Sequence, residues 1–185
     1  MQRRELIQLI AGMTGCAFAG HDALWAAGDS PAPLPYSGSD VDFFDDVAET
    51  ILPKTDTPGA RDAAVGQYIA RYSAACYPPG HIALLKSGIS DIDARMQALE
   101  GKGFRQANEA AKISLLTQID REAKEHARRA EAKPGDDSPH YFTLMKQLTL
   151  IGFFTSEPGA TRVVRYRPVP DRYRGCIPYV KGETF

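Results

Sequence analysis

Apolar positions recur along most of this chain at intervals of three and four, the spacing that places them on one face of an α-helix. The clearest run is Ile82, Leu85, Ile89, Ile92, Met96 and Leu99, which predicts an amphipathic helix ended by Gly101 and Gly103. Before it, Phe43, Phe44, Val47 and Ile51 follow a capping-box-like start at Ser39-Asp40-Val41-Asp42, and Pro53 stops that helix after Leu52. A second helix is expected from Arg61 to Ala75, with Val65, Ile69 and Tyr72 on one side and Cys76-Tyr77-Pro78-Pro79-Gly80 closing it. A fourth should run from Phe104 to Ala132 with Ile113, Leu116, Ile119 and Ala123 inward, its charged later half being a solvated face. A fifth, from about His140 to Phe154, holds Phe142, Met145, Leu148 and Ile151. After Ser156, prolines at positions 158, 168, 170 and 178 forbid a long helix or strand, although Val163-Val164-Arg165-Tyr166 allows a short extended segment. The expected fold class is all-α: a single bundle of about five helices with an irregular, Pro-rich C-terminal tail from residue 156.

The N-terminus has a different texture. Arg3 and Arg4 precede Leu6 and Ile7, and the run to Phe18 is only moderately hydrophobic, broken by Gln8, Gly12, Thr14 and Gly15. It is too short for the roughly 20 apolar residues of a spanning helix. Ala17-Phe18-Ala19 supplies a small-x-small cleavage site, and Ala26-Ala27-Gly28 a later one. The pattern predicts a twin-arginine export signal carried by Arg3, Arg4, Leu6 and Ile7, and therefore a periplasmic destination. Gln2 and Gln8 depart from the usual residues of that signal. The alternatives are an ordinary amphipathic or disordered N-terminus, or a lipoprotein site at Met13-Thr14-Gly15-Cys16 with Cys16 acylated. The expected division is a signal region over 1–28, a Pro-rich linker over 29–39 and a helical domain over 40–185.

Composition narrows the partners. Lys and Arg number 22 against 23 Asp and Glu, a formal net charge of −1, and such a near-neutral surface argues against nucleic acid. Of three cysteines, Cys16 would leave with the signal, so Cys76 and Cys176 form an even pair in an oxidising compartment and are expected to bond. A bond from one of them to another subunit is the alternative. Catalytic constellations are missing from the sequence: there is no Gly-rich dinucleotide loop, Walker loop, haem-binding Cys-x-x-Cys-His or Gly-x-Ser-x-Gly elbow. His21, His81, His126 and His140 are scattered without a second ligand at metal spacing. Asp45 and Asp46 are adjacent on a helix and point apart, and Asp136-Asp137 belongs to a turn. No catalytic, cofactor-binding or metal-binding residue is assigned to this chain.

Two segments are too particular for an anonymous bundle: Phe43-Phe44-Asp45-Asp46-Val47-Ala48-Glu49-Thr50-Ile51-Leu52-Pro53 with Thr57-Pro58-Gly59-Ala60, and Ile151-Gly152-Phe153-Phe154-Thr155-Ser156-Glu157-Pro158-Gly159. With Tyr166, Pro168, Tyr173 and Gly175-Cys176-Ile177-Pro178, they resemble the gluconate 2-dehydrogenase small-subunit family, often called subunit three, from about Asp40 to Tyr179. The resemblance implies an accessory subunit, without catalytic residues, bound to a large FAD-dependent dehydrogenase of the glucose-methanol-choline type. Related complexes oxidise gluconate or other sugars, including the 3-hydroxyl of glucosides, and pass electrons to a cytochrome c. Their large subunit commonly lacks an export signal and travels with the small one. The expected contact surface comprises Phe153, Phe154, Ser156, Glu157, Arg165, Tyr166, Arg172 and Tyr173, with one of the two phenylalanines in the core and the other on the partner. The competing readings are a self-sufficient periplasmic enzyme and a solitary binding module or lipoprotein.

Overall fold

In the computed structural model the described residues are 34–131 and 138–164, together with Cys176 and Pro178. The expected signal and linker to residue 33, and most of the tail, lie outside them. Five α-helices make up the described bundle: α1 (Gly38–Ile51), α2 (Val65–Cys76), α3 (Pro79–Glu100), α4 (Glu109–Glu131) and α5 (Tyr141–Thr155). No strand occurs among the described residues.

The cap of helix α1, Ser37, lies two residues before the start of the predicted box. Ser37 Oγ accepts from the Asp40 N–H at 3.2 Å, and Asp40 Oδ2 accepts from the Ser37 N–H at 2.8 Å. Its inner face buries Phe43, Phe44, Val47 and Ala48. Helix α2 starts later than expected, at Val65, because the preceding Ala64 takes a left-handed φ of 50° that a helix cannot contain. Asp45 Oδ1 then accepts from the Gly66 N–H at 2.7 Å, tying α2 to α1. A Cβ on Gly66 would stand 2.5 Å from the Val41 carbonyl oxygen, so only glycine allows this approach.

Helix α3 has Pro79 in its first turn and Gly101, at φ 69°, as its C-cap. It buries Leu85, Ile92 and Met96, but Leu99 at the end of the same stripe is 65% exposed. Phe104 does not begin the fourth helix. It lies in a short 3-10 turn, Phe104–Gln106, where it is fully buried against Phe43 with ring centroids 5.4 Å apart. Its N–H donates to Asp93 Oδ1 at 2.8 Å. Helix α4 begins at Glu109, with Asn108 Oδ1 accepting from the Ala111 N–H at 2.8 Å. Helix α4 turns Leu115, Leu116, Ile119 and Ala123 inward and leaves Ile113 outside at 51% exposure.

Helix α5 is the centre of the bundle and packs against the other four. Tyr141, Phe142, Leu144, Met145, Leu148, Thr149, Gly152 and Phe153 are buried, which covers about half its circumference at 100° per residue. The fully buried Thr149 hydroxyl is satisfied locally, its Oγ1 donating to the Met145 carbonyl at 2.8 Å. Ile151 is 47% exposed, contrary to its expected inward place. Beyond α5 the chain makes a π-turn, Gly159–Val163, so Val163 closes a helical turn and does not start an extended segment. No described helix is long and apolar enough to cross a membrane.

A candidate partner-docking end of the bundle

The two particular segments meet in space. The loop after α1 contributes Lys54, Pro58 and Asp62, and the turn after α5 contributes Glu157, Thr161 and Arg162, to one shallow depression of about 310 Å³. Each acid of the first segment has a structural partner. Asp45 caps the start of α2, and burial pushes its carboxyl up while the Gly66 hydrogen bond opposes that shift. Asp46 holds Arg61 and also accepts from Arg105 Nε at 2.9 Å. Glu49 folds the loop back on its helix, accepting the Lys54 N–H at 2.9 Å and the Arg61 N–H at 2.8 Å. Asp62 pairs with Lys54 Nζ at 3.0 Å, and that hydrogen bond with a second from the Gly59 N–H holds its carboxyl below the usual range.

The second segment is as tightly built. Gly152 lets the Tyr68 ring of α2 lie against α5, since a Cβ there would come within 2.6 Å of it. Ser156 Oγ donates to the Phe153 carbonyl at 2.6 Å and accepts from the Gly159 N–H at 3.2 Å. Gly159 itself passes so close that a Cβ would be 1.9 Å from the Phe153 oxygen.

These positions sort the expected contact residues. Phe153 is 3% exposed and belongs to the core, so it offers nothing to a partner. Phe154, edge-on to it at 5.2 Å, is 42% exposed. Glu157 is exposed and Ser156 half-buried. Arg165, Tyr166, Arg172 and Tyr173 lie outside the described residues, as do Arg3, Arg4, Leu6 and Ile7 of the expected signal. The expected disulfide is not formed: Cys76 and Cys176 are both free and exposed. An even cysteine count supplies a possible pair, but bonding needs Cα atoms within about 7 Å and facing Cβ vectors, which sequence does not encode.

A second polar cluster joins the middle of the bundle. Tyr141 donates to Asp91 Oδ2 at 2.5 Å, and Arg95 bridges Asp91 at 2.9 Å and Glu122 at 2.7 Å. Burial, then the bond to Asp91, pushes the Tyr141 hydroxyl well up from its ordinary value. His140 caps α5, its Nδ1 accepting from the Phe142 N–H at 3.2 Å, and lies 5.8 Å from His126. Burial and then His126 hold the His140 imidazole below its usual value. No group of three or more His, Cys, Asp or Glu side chains that could hold a metal ion occurs among the described residues.

Sequence reasoning missed the outward residues Ile113 and Ile151. For Ile151 the available signal was density: Leu150, Ile151, Phe153 and Phe154 crowd one turn and a half of α5, more apolar surface than one face can bury. No curated protein and no solved structure matches the chain. Residues 39–170 match the family Gluconate 2-dehydrogenase subunit 3, spanning all five helices and both particular segments. The chain therefore belongs to the gluconate 2-dehydrogenase subunit 3 family.

Proposed function

We propose that this chain is a noncatalytic subunit that binds, stabilises and escorts a large FAD-dependent sugar or polyol dehydrogenase, of gluconate 2-dehydrogenase or glucoside 3-dehydrogenase type, through twin-arginine export. The observation that carries this is the family match across the whole bundle, since the family is a subunit of a dehydrogenase complex. It is supported by the acids of the first segment, whose carboxylates serve caps, loop closure and ion pairs. FAD is assigned to the large partner, where it would accept the electrons of the oxidised alcohol and pass them towards a cytochrome c. No residue of this chain is assigned to hold it. The twin-arginine route carries folded cargo, so a flavin inserted in the cytoplasm could cross with its protein while this chain supplies the signal.

The test is to tag the chain at its C-terminus, purify it gently from native periplasm and record the visible spectrum and the subunit masses. A flavin-containing large subunit in the preparation is the expected result. A colourless monomer would overturn the proposal in favour of a solitary binding module. Hydrogen exchange on the same complex should give protected amides in the tail from Ser156 onward; unprotected amides there would remove the tail from the contact.

A further inference from the structure

At the junction of α3, α4 and α5 two imidazoles meet. His126, half-buried on α4, and His140, at the start of α5, have ring centroids 5.8 Å apart. The charged and titratable groups that face His140 are His126 and Glu122 from α4, Arg95 and Asp91 from α3, and Tyr141 from α5, whose ring lies 4.4 Å away. With His140 neutral the junction is closed. Its Nδ1 accepts the Phe142 N–H at 3.2 Å, while Glu122 accepts from Arg95 at 2.7 Å and from Gln118 Nε2 at 3.1 Å. A proton on His140 turns Nδ1 into a donor, so the cap is lost and a cation stands against the positive end of the α5 dipole. The two rings repel each other once both are charged. Glu122 lies one turn before His126 on α4, so a charged His126 can compete with Arg95 for its carboxylate.

We propose that His126 and His140 form an acid-sensitive latch, which fastens α4 to the first turn of α5 while both rings are neutral and opens that end of the bundle when they are protonated. Opening is local. The other end of α5 is held by groups that do not titrate near neutrality, with Tyr68 packed over Gly152 and Phe153 in the core. The open state binds the proton more readily, because burial and then His126 depress the closed-state value of His140. The closed latch therefore holds above the ordinary 6.5 and yields as pH falls through the folded value.

The test is hydrogen exchange of the full-length chain, read as protection factors so that the intrinsic pH dependence of exchange cancels. Between about pH 7.5 and about pH 5, amides of 142–146 and 124–130 should lose protection by about tenfold or more, while those of 43–51 and 66–75 keep theirs. His140→Asn keeps a capping oxygen and has no proton to gain, so its protection at the lower pH should equal that at the higher. His126→Gln should raise the midpoint of the His140 imidazole, followed by NMR, and shrink the loss of protection, since one depressing charge is gone. Protection lost equally by all helices would be ordinary acid unfolding and would overturn the latch. So would unchanged protection at 142–146, which the unsubstituted chain decides without any variant, or an equal loss in His140→Asn. A midpoint unmoved by His126→Gln would leave His140 a lone cap and overturn the pair.

Discussion

Glu49 and His140 illustrate how single side chains close this fold. The Glu49 carboxylate is the acceptor for two backbone N–H groups of the loop after α1, those of Lys54 and Arg61. Glu49→Ala should therefore cost about 1–3 kcal/mol, and Glu49→Gln, which keeps one acceptor oxygen, distinctly less; urea unfolding measures both. At His140 the neutral ring is the useful form, because Nδ1 must accept from Phe142 and a protonated nitrogen cannot. Its folded value lies below the ordinary 6.5, mainly through burial, with His126 and Arg95 pushing the same way and Glu122 and Asp91 opposing. The unfolded chain thus binds the proton more readily, so this contribution is present above 6.5 and is lost as pH falls through the folded value. The melting temperature should drop between about pH 7 and pH 5, and His140→Asn, which can still cap, should flatten that slope. The window is separate from that of Asp120 and Glu122, whose carboxyls are held low by Lys124 and by Arg95 respectively and titrate at more acid pH. An unchanged slope in His140→Asn would remove the histidine from the account.

Among the elements, α4 separates periodicity from burial. Ile113 and Ile119 both fit its apolar stripe, yet Ile119 is fully buried and Ile113 is half in solvent. Ile119→Ala should cost about 2–5 kcal/mol through the cavity it leaves, while Ile113→Ala should stay within about 0.5 kcal/mol. Equal losses at the two positions would mean that the α4 face is rotated. The stripe was legible because helical spacing is a local property. Which edge of the stripe reaches the core depends on where α1 and α5 stand, and this is why Leu115 is buried and Ile113 is not. The start of α4 shows the same limit: Phe104 continues the helical pattern, but the core position beside Phe43 and the Asp93 acceptor hold it in a 3-10 turn.

At the scale of the whole molecule, two free thiols should react in the folded domain, at Cys76 and Cys176, and a reductant should leave the melting temperature unchanged. A fall on reduction would restore the disulfide. Membership of a dehydrogenase-subunit family was readable from the order of motifs, and the match over residues 39–170 bears it out. The all-α class, the five helices and most of their ends followed from spacing, prolines and caps, since these act over one or two turns of chain. Long-range placement was decided only by tertiary packing. It brought the loop of Lys54 and Asp62 beside the turn of Glu157 and Arg162, put Phe153 in the core and Phe154 outside, and left both sulfurs free. Each of these outcomes depends on distances between residues far apart in sequence, set when α5 is packed among four other helices at once.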